Sequence, residues 1–174
     1  MKKFVSVLLL AGSLGLASAQ NYTFTLTPGA DGGGARQGSG GGVLTLSGNT
    51  IHITGSFTGL GSASTADHFH GPAAPGVNAN VLYGLQSIST LGGTSGTING
   101  DVTLIDNPPG GPTFSIAQQI DQLNNGLWYV NVHSVNFGGG EIRGQVLPVP
   151  EPSTFGLIAL GLGGAWWLAG FRRR

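Results

Sequence analysis

Three of the four histidines in this chain are spaced for chemistry: His68 and His70, separated only by Phe69, and His133 far downstream. An imidazole can ligate a metal through either ring nitrogen. On a strand, His-x-His aims two rings the same way, because successive side chains alternate between faces. The run Leu127 to Ser134 alternates too: Trp128, Val130 and Val132 share the core face, and Tyr129, Asn131 and His133 share the other. Downstream, Ile142, Gly144 and Val146 oppose Glu141, Arg143 and Gln145. Side by side, these runs gather His68, His70, His133, Glu141 and Arg143 into one polar surface. The favoured reading is a hydrogen-bonding network that ties the strands together, with no cofactor. The alternative is a copper or zinc site on His68, His70 and His133, with a possible redox role. Gly71-Pro72 ends the histidine strand, and Gly71 is expected to supply a conformation closed to other residues.

Other chemistries find little purchase. The chain has no cysteine, which removes thiolate catalysis and disulfide staples together. Ser115 and Ser134 lie in no Gly-x-Ser-x-Gly elbow, so no hydrolase triad is indicated. Gly59-Leu60-Gly61 lacks the third glycine of a dinucleotide loop. Asp106-Asn107 before Pro108-Pro109 reads as a solvated turn, since the ligand ladder of a calcium loop is missing. No catalytic residue emerges, and the expectation is a non-enzymatic protein. Five of the seven basic residues, Lys2, Lys3 and Arg172 to Arg174, stand at the chain ends. Between them remain Arg36 and Arg143 against Asp31, Asp67, Asp101, Asp106, Asp121 and Glu141. That acidic balance disfavours nucleic acid, which requires a cationic face.

The elements that must position the histidines are short β-branched or alternating runs: 22–27, 43–47, 50–57, 67–70, 80–85, 96–105, 127–133 and 141–147. Gly, Pro or Asn bounds each, the pattern of an antiparallel sandwich or barrel. The 33 glycines fall in clusters between apolar runs and therefore mark turns. Ser47-Gly48-Asn49-Thr50 and Asn99-Gly100 read as tight hairpin turns. Ile116, Ile120 and Leu123 recur at helical spacing behind Thr113 or Ser115, predicting one helix over 115–124. Residues 29–42 and 72–78 are expected to be long loops.

At the N-terminus, Met1-Lys2-Lys3, an apolar run to Leu16 and Ala17-Ser18-Ala19 have the three regions of a secretory signal, with cleavage after Ala19. At the other end, uncharged residues 155–171 would span about 25 Å as a helix, and Arg172, Arg173 and Arg174 would stay cytoplasmic. These readings divide the chain into a signal peptide at 1–19, one β domain at 20–148 and a tail at 149–174 with a transmembrane helix at 155–171. Pro150-Glu151-Pro152 precedes that helix as an exposed, extended spacer.

The tail resembles the PEP-CTERM sorting signal. The resemblance implies an exosortase as processing partner, cleavage near Pro150-Glu151-Pro152, a membrane-anchored precursor, and a mature domain that is periplasmic, at the cell surface or extracellular, often with exopolysaccharide. The domain itself is similar to the CHRD (chordin-type) family in three blocks: His68-Phe69-His70-Gly71-Pro72, then Gly126 to Ser134 including Asn131, then Gly140 to Val146 including Glu141 and Arg143. That resemblance implies an immunoglobulin-like β-sandwich or barrel and supplies no activity or ligand. A His-x-His strand on such a sandwich is also similar to copper-zinc superoxide dismutase. This chain departs from that enzyme, because His52 stands in a separate strand and cysteine is absent. The resulting expectation is an exported adhesion or binding module for a polymer such as exopolysaccharide, or for surface proteins; metal binding is the alternative.

Overall fold

The structure is a computed structural model and describes residues 19–29 and 35–150. Ala17, Glu151, Pro152, the 155–171 segment and Arg172 to Arg174 lie outside the described residues. Among the described residues nine strands follow one another: β1 (Gln20–Pro28), β2 (Ser39–Ser47), β3 (Thr50–Thr58), β4 (Ser64–His70), β5 (Val81–Gly84), β6 (Gly96–Thr103), β7 (Tyr129–Ser134), β8 (Ile142–Gln145) and β9 (Leu147–Pro148). The helix α1 (Ile116–Asn124) stands between β6 and β7. Every strand pairing is antiparallel, in the order β5-β4-β7-β8-β1-β2-β3-β6, with β9 also on β1.

β1 joins the two halves of this sheet. Its residues Gln20 to Leu26 pair with β2, and Thr27 and Pro28 pair with β8. A 3₁₀ turn at Gln86–Ile88 brings the outer ends together: Leu85 donates its N–H to the Asp67 carbonyl, and Ser89 bridges to Ile98 on β6. The sheet thus curls into a nearly closed barrel, which leaves little unpaired edge.

Alternation decides what fills it. Tyr22, Phe24 and Leu26 of β1, Ile51 and Ile53 of β3, and Val130 and Val132 of β7 all point inward and are buried. Trp128 is fully buried between the rings of Phe69 and Tyr83, at centroid distances of 5.7 and 6.1 Å. Its indole N–H donates to Gln122 Oε1 of α1 at 3.1 Å, so the one polar atom of this large core residue is satisfied. The helix starts where a cap is available: Ser115 Oγ accepts from the Gln118 N–H while the Gln118 side chain accepts from the Ser115 N–H.

Several sequence expectations are corrected. Residues 39–42 belong to β2 and not to a loop. Gly42 is a strand residue beside the Phe24 ring: a Cβ there or on Gly55 opposite would come within 2.8 Å of that ring, and a Cβ on Gly40 or Gly41 would meet the neighbouring strand backbone. Asn99-Gly100 is likewise no turn, since both residues sit inside β6, paired with Thr54 and Ile53. Glycine is needed at position 100 because a Cβ would meet Ile88 at 2.5 Å. The other predicted hairpin is present, with Ser47 opposite Thr50 and Gly48 at φ 59°.

Candidate metal centre

β4 and β7 build the site. His133 faces Ala66, Asn131 faces His68 and Tyr129 faces His70 across this antiparallel pair. His68 and His133 are therefore diagonal neighbours on one face, within reach of long side chains. Their ring centroids are 4.8 Å apart, and those of His70 lie 5.5 Å from His68 and 5.9 Å from His133. One nitrogen from each ring falls within 4.8 Å of the other two. Among the described residues this is the one cluster of three or more such metal-ligating side chains.

Two loops fix the rings. Residues 71–80 fold back over β7 and β8: Ala73 N–H donates to the Leu127 carbonyl, Gln145 donates to the Ala73 carbonyl, and Arg143 donates to Asn78 Oδ1 and the Val77 carbonyl. That loop presents the Ala79 carbonyl, to which His70 Nδ1 donates at 3.0 Å. Residues 135–140 present the Gly138 carbonyl to His133 Nδ1 at 2.9 Å, and the Gly139 carbonyl accepts from Asn131 Nδ2. Gly140, at φ 116°, permits this close packing, because a Cβ there would collide with the Asn131 amide. With Nδ1 donating, Nε2 of both His70 and His133 carries the lone pair. A backbone carbonyl behind a ring nitrogen is also how metal-ligating histidines are usually oriented.

His68 completes the triangle. Its Nδ1 lies 2.9 Å from His133 Nε2, and its Nε2 lies 2.9 Å from the Gln86 amide nitrogen. Gln86 donates there, so the His68 proton resides on Nδ1 and points at His133. His70 Nε2, by contrast, is buried and has no hydrogen-bond partner. Asp67 Oδ1, Ser134 Oγ and Glu141 Oε2 share that condition, but none of them belongs to the cluster. Burial, and then the neighbouring His133 and His70, hold the His68 pKa down to about 4. Burial also lowers His70 and His133, against the partial offset of their carbonyl bonds. The cluster is accordingly a set of neutral imidazoles.

The remaining sequence candidates divide. Arg143 is part of the same face: its guanidinium lies over the Tyr129 ring at 3.7 Å, and the other side of that ring stacks on His70 at 4.9 Å and 11°. Glu141 is not. It is fully buried and accepts the backbone N–H groups of Gly61 and Gln37 on Oε1, fastening two loops. Gly71 does not occupy the left-handed region. It is required for closeness, since a Cβ would stand 2.9 Å from Trp128 Cδ1, and Pro72 follows it across a cis bond. The expected polar surface is therefore largely covered, with His70, Asn131 and His133 only 7, 6 and 9% exposed and His68 half-buried. Gln86 and the two loop carbonyls were not anticipated; alternation shows which residues share a face but not what folds over it.

The CHRD domain model matches residues 22–146, and the PEP-CTERM protein-sorting motif matches residues 148–174. The motif marks an exported protein whose membrane-anchored precursor is processed by an exosortase. Neither family is one of enzymes. No curated protein and no solved structure matches the chain. All three blocks, from His68 through Asn131 and His133 to Arg143, fall inside the first match, and the chain belongs to the CHRD domain family.

Proposed function

We propose that this exported domain is a metal-binding module in which His68, His70 and His133 hold a single copper or zinc ion. The observation that carries the reading is the convergence of three neutral imidazoles, two of them tautomerically fixed by carbonyls, with the buried Nε2 of His70 lacking any partner. A buried polar atom without a hydrogen bond calls for a specific explanation, and a ligated cation is one. Ligand nitrogens about 2.0 Å from an ion stand roughly 3.3 Å apart in tetrahedral geometry, so binding draws the cluster inward from its present spread. For His68 to ligate through Nδ1, its proton would move from Nδ1 to Nε2, and the Gln86 amide, turned to present its oxygen, would accept the hydrogen bond from that N–H. Each ligand then has a partner behind it.

Elemental analysis of the full chain, purified in detergent after exposure to each metal, tests the proposal. About one equivalent of copper or zinc retained after gel filtration supports it. So does its loss in His133→Ala and His70→Ala variants that keep the wild-type circular dichroism. No retained metal, or equal retention by both variants, refutes it.

The adhesive role expected from the sequence, with exopolysaccharide or surface proteins as partners, draws support only from the sorting motif. A metal module and an exported envelope protein are compatible.

A further inference from the structure

If the three histidines do hold a metal, as proposed above, we infer that the centre is selective for monovalent copper over zinc. The ligand set is the first reason. Among the described residues no carboxylate or cysteine joins the three imidazoles, so a bound ion keeps its whole formal charge. The self-energy of an ion in a poorly polarisable interior grows with the square of its charge, which makes a divalent ion about four times as costly to bury as a monovalent one. Arg143 adds positive charge behind Tyr129, on the far side of the ring that stacks on His70.

Coordination number is the second reason. Zinc is four-coordinate, and with three protein ligands it requires a water or substrate in the fourth position. Solvent does not reach His70 Nε2, and loops 71–80 and 135–140 seat their carbonyls directly behind His70 and His133. His68 stays partly exposed beside Gln86, but the enclosed His70 and His133 leave little room for a fourth ligand, which suits an ion content with trigonal coordination, and monovalent copper is such an ion. Asn131, whose Nδ2 lies 3.5 Å from His133 Nε2, is where neutrality is set. A carboxylate there would place a negative charge beside the ion.

The test loads the full chain anaerobically with Cu(I) alone and with Zn(II) alone. Each is titrated against a chelator of known affinity, bicinchoninate for copper and a zinc-responsive dye for zinc. Selectivity predicts one Cu(I) per chain bound about 100-fold or more tightly than Zn(II), and a preference narrowed about tenfold or more in Asn131→Asp as zinc gains the added charge. A copper K-edge spectrum of the wild type reads coordination directly, with the edge feature of three-coordinate Cu(I) expected, so the inference stays open to refutation should Asn131→Asp fail to fold. Zinc binding as tight as copper, or a four-coordinate edge, overturns the selectivity and leaves a metal centre standing. Binding of neither ion overturns the centre itself.

Discussion

A histidine in an unfolded chain takes up its proton near pH 6.5, whereas burial lowers the pKa of His68, His70 and His133 in the fold, with neighbouring imidazoles adding to the effect at His68 and His70. The unfolded state therefore binds more protons than the folded one as acid is added. Stability from these three groups is complete above about pH 6.5 and is lost as pH falls toward about 4, the value for His68. The metal-free protein should show a melting temperature that declines across that window, with a shallower decline in His68→Leu; a flat profile in both would contradict the neutral cluster. Gln86 offers a second test, because its amide holds the outer nitrogen of His68. Gln86→Leu is expected to weaken metal retention roughly 10- to 100-fold with little change in melting temperature, read by competition with a chelator. The clustered histidines were legible in the sequence because His-x-His and the alternation of 127–134 follow from strand geometry alone. The Ala79 and Gly138 carbonyls were not, since nothing in a loop's composition says over which side chain it closes.

Strands and the helix give their own measurable consequences. Gly42 lies under the Phe24 ring with β3 close on its other side, so Gly42→Ala forces either the ring or the strand to move. Overpacking of this kind costs about 1–3 kcal/mol, and the variant should unfold at correspondingly lower denaturant with an unchanged slope. Ser115→Ala removes the capping hydroxyl of α1 and should cost about 1 kcal/mol by the same measurement. Most strands were readable, because β-branched runs bounded by Gly and Pro have few alternatives. The misreadings share one cause. Gly40-Gly41-Gly42 and Asn99-Gly100 carry turn-forming composition, yet here glycine serves close approach, to the adjacent strand backbones and the Phe24 ring in one case and against Ile88 in the other. Only the tertiary neighbour distinguishes the two uses of the residue.

At the scale of the molecule, a cysteine-free barrel carries the histidine cluster, and the sorting motif marks the chain as exported. Mass spectrometry of the mature protein from a strain with an active exosortase should find a C-terminus near Pro150-Glu151-Pro152; intact Arg174 in the membrane fraction of that strain would contradict processing. The measurement that reaches furthest is X-ray absorption fine structure on the reconstituted full chain, because it counts the atoms around the ion. Three imidazole nitrogens at about 2.0 Å are predicted, falling to two in His133→Ala. A shell of oxygen scatterers, or a spectrum indifferent to that substitution, would show that the three histidines do not share a metal.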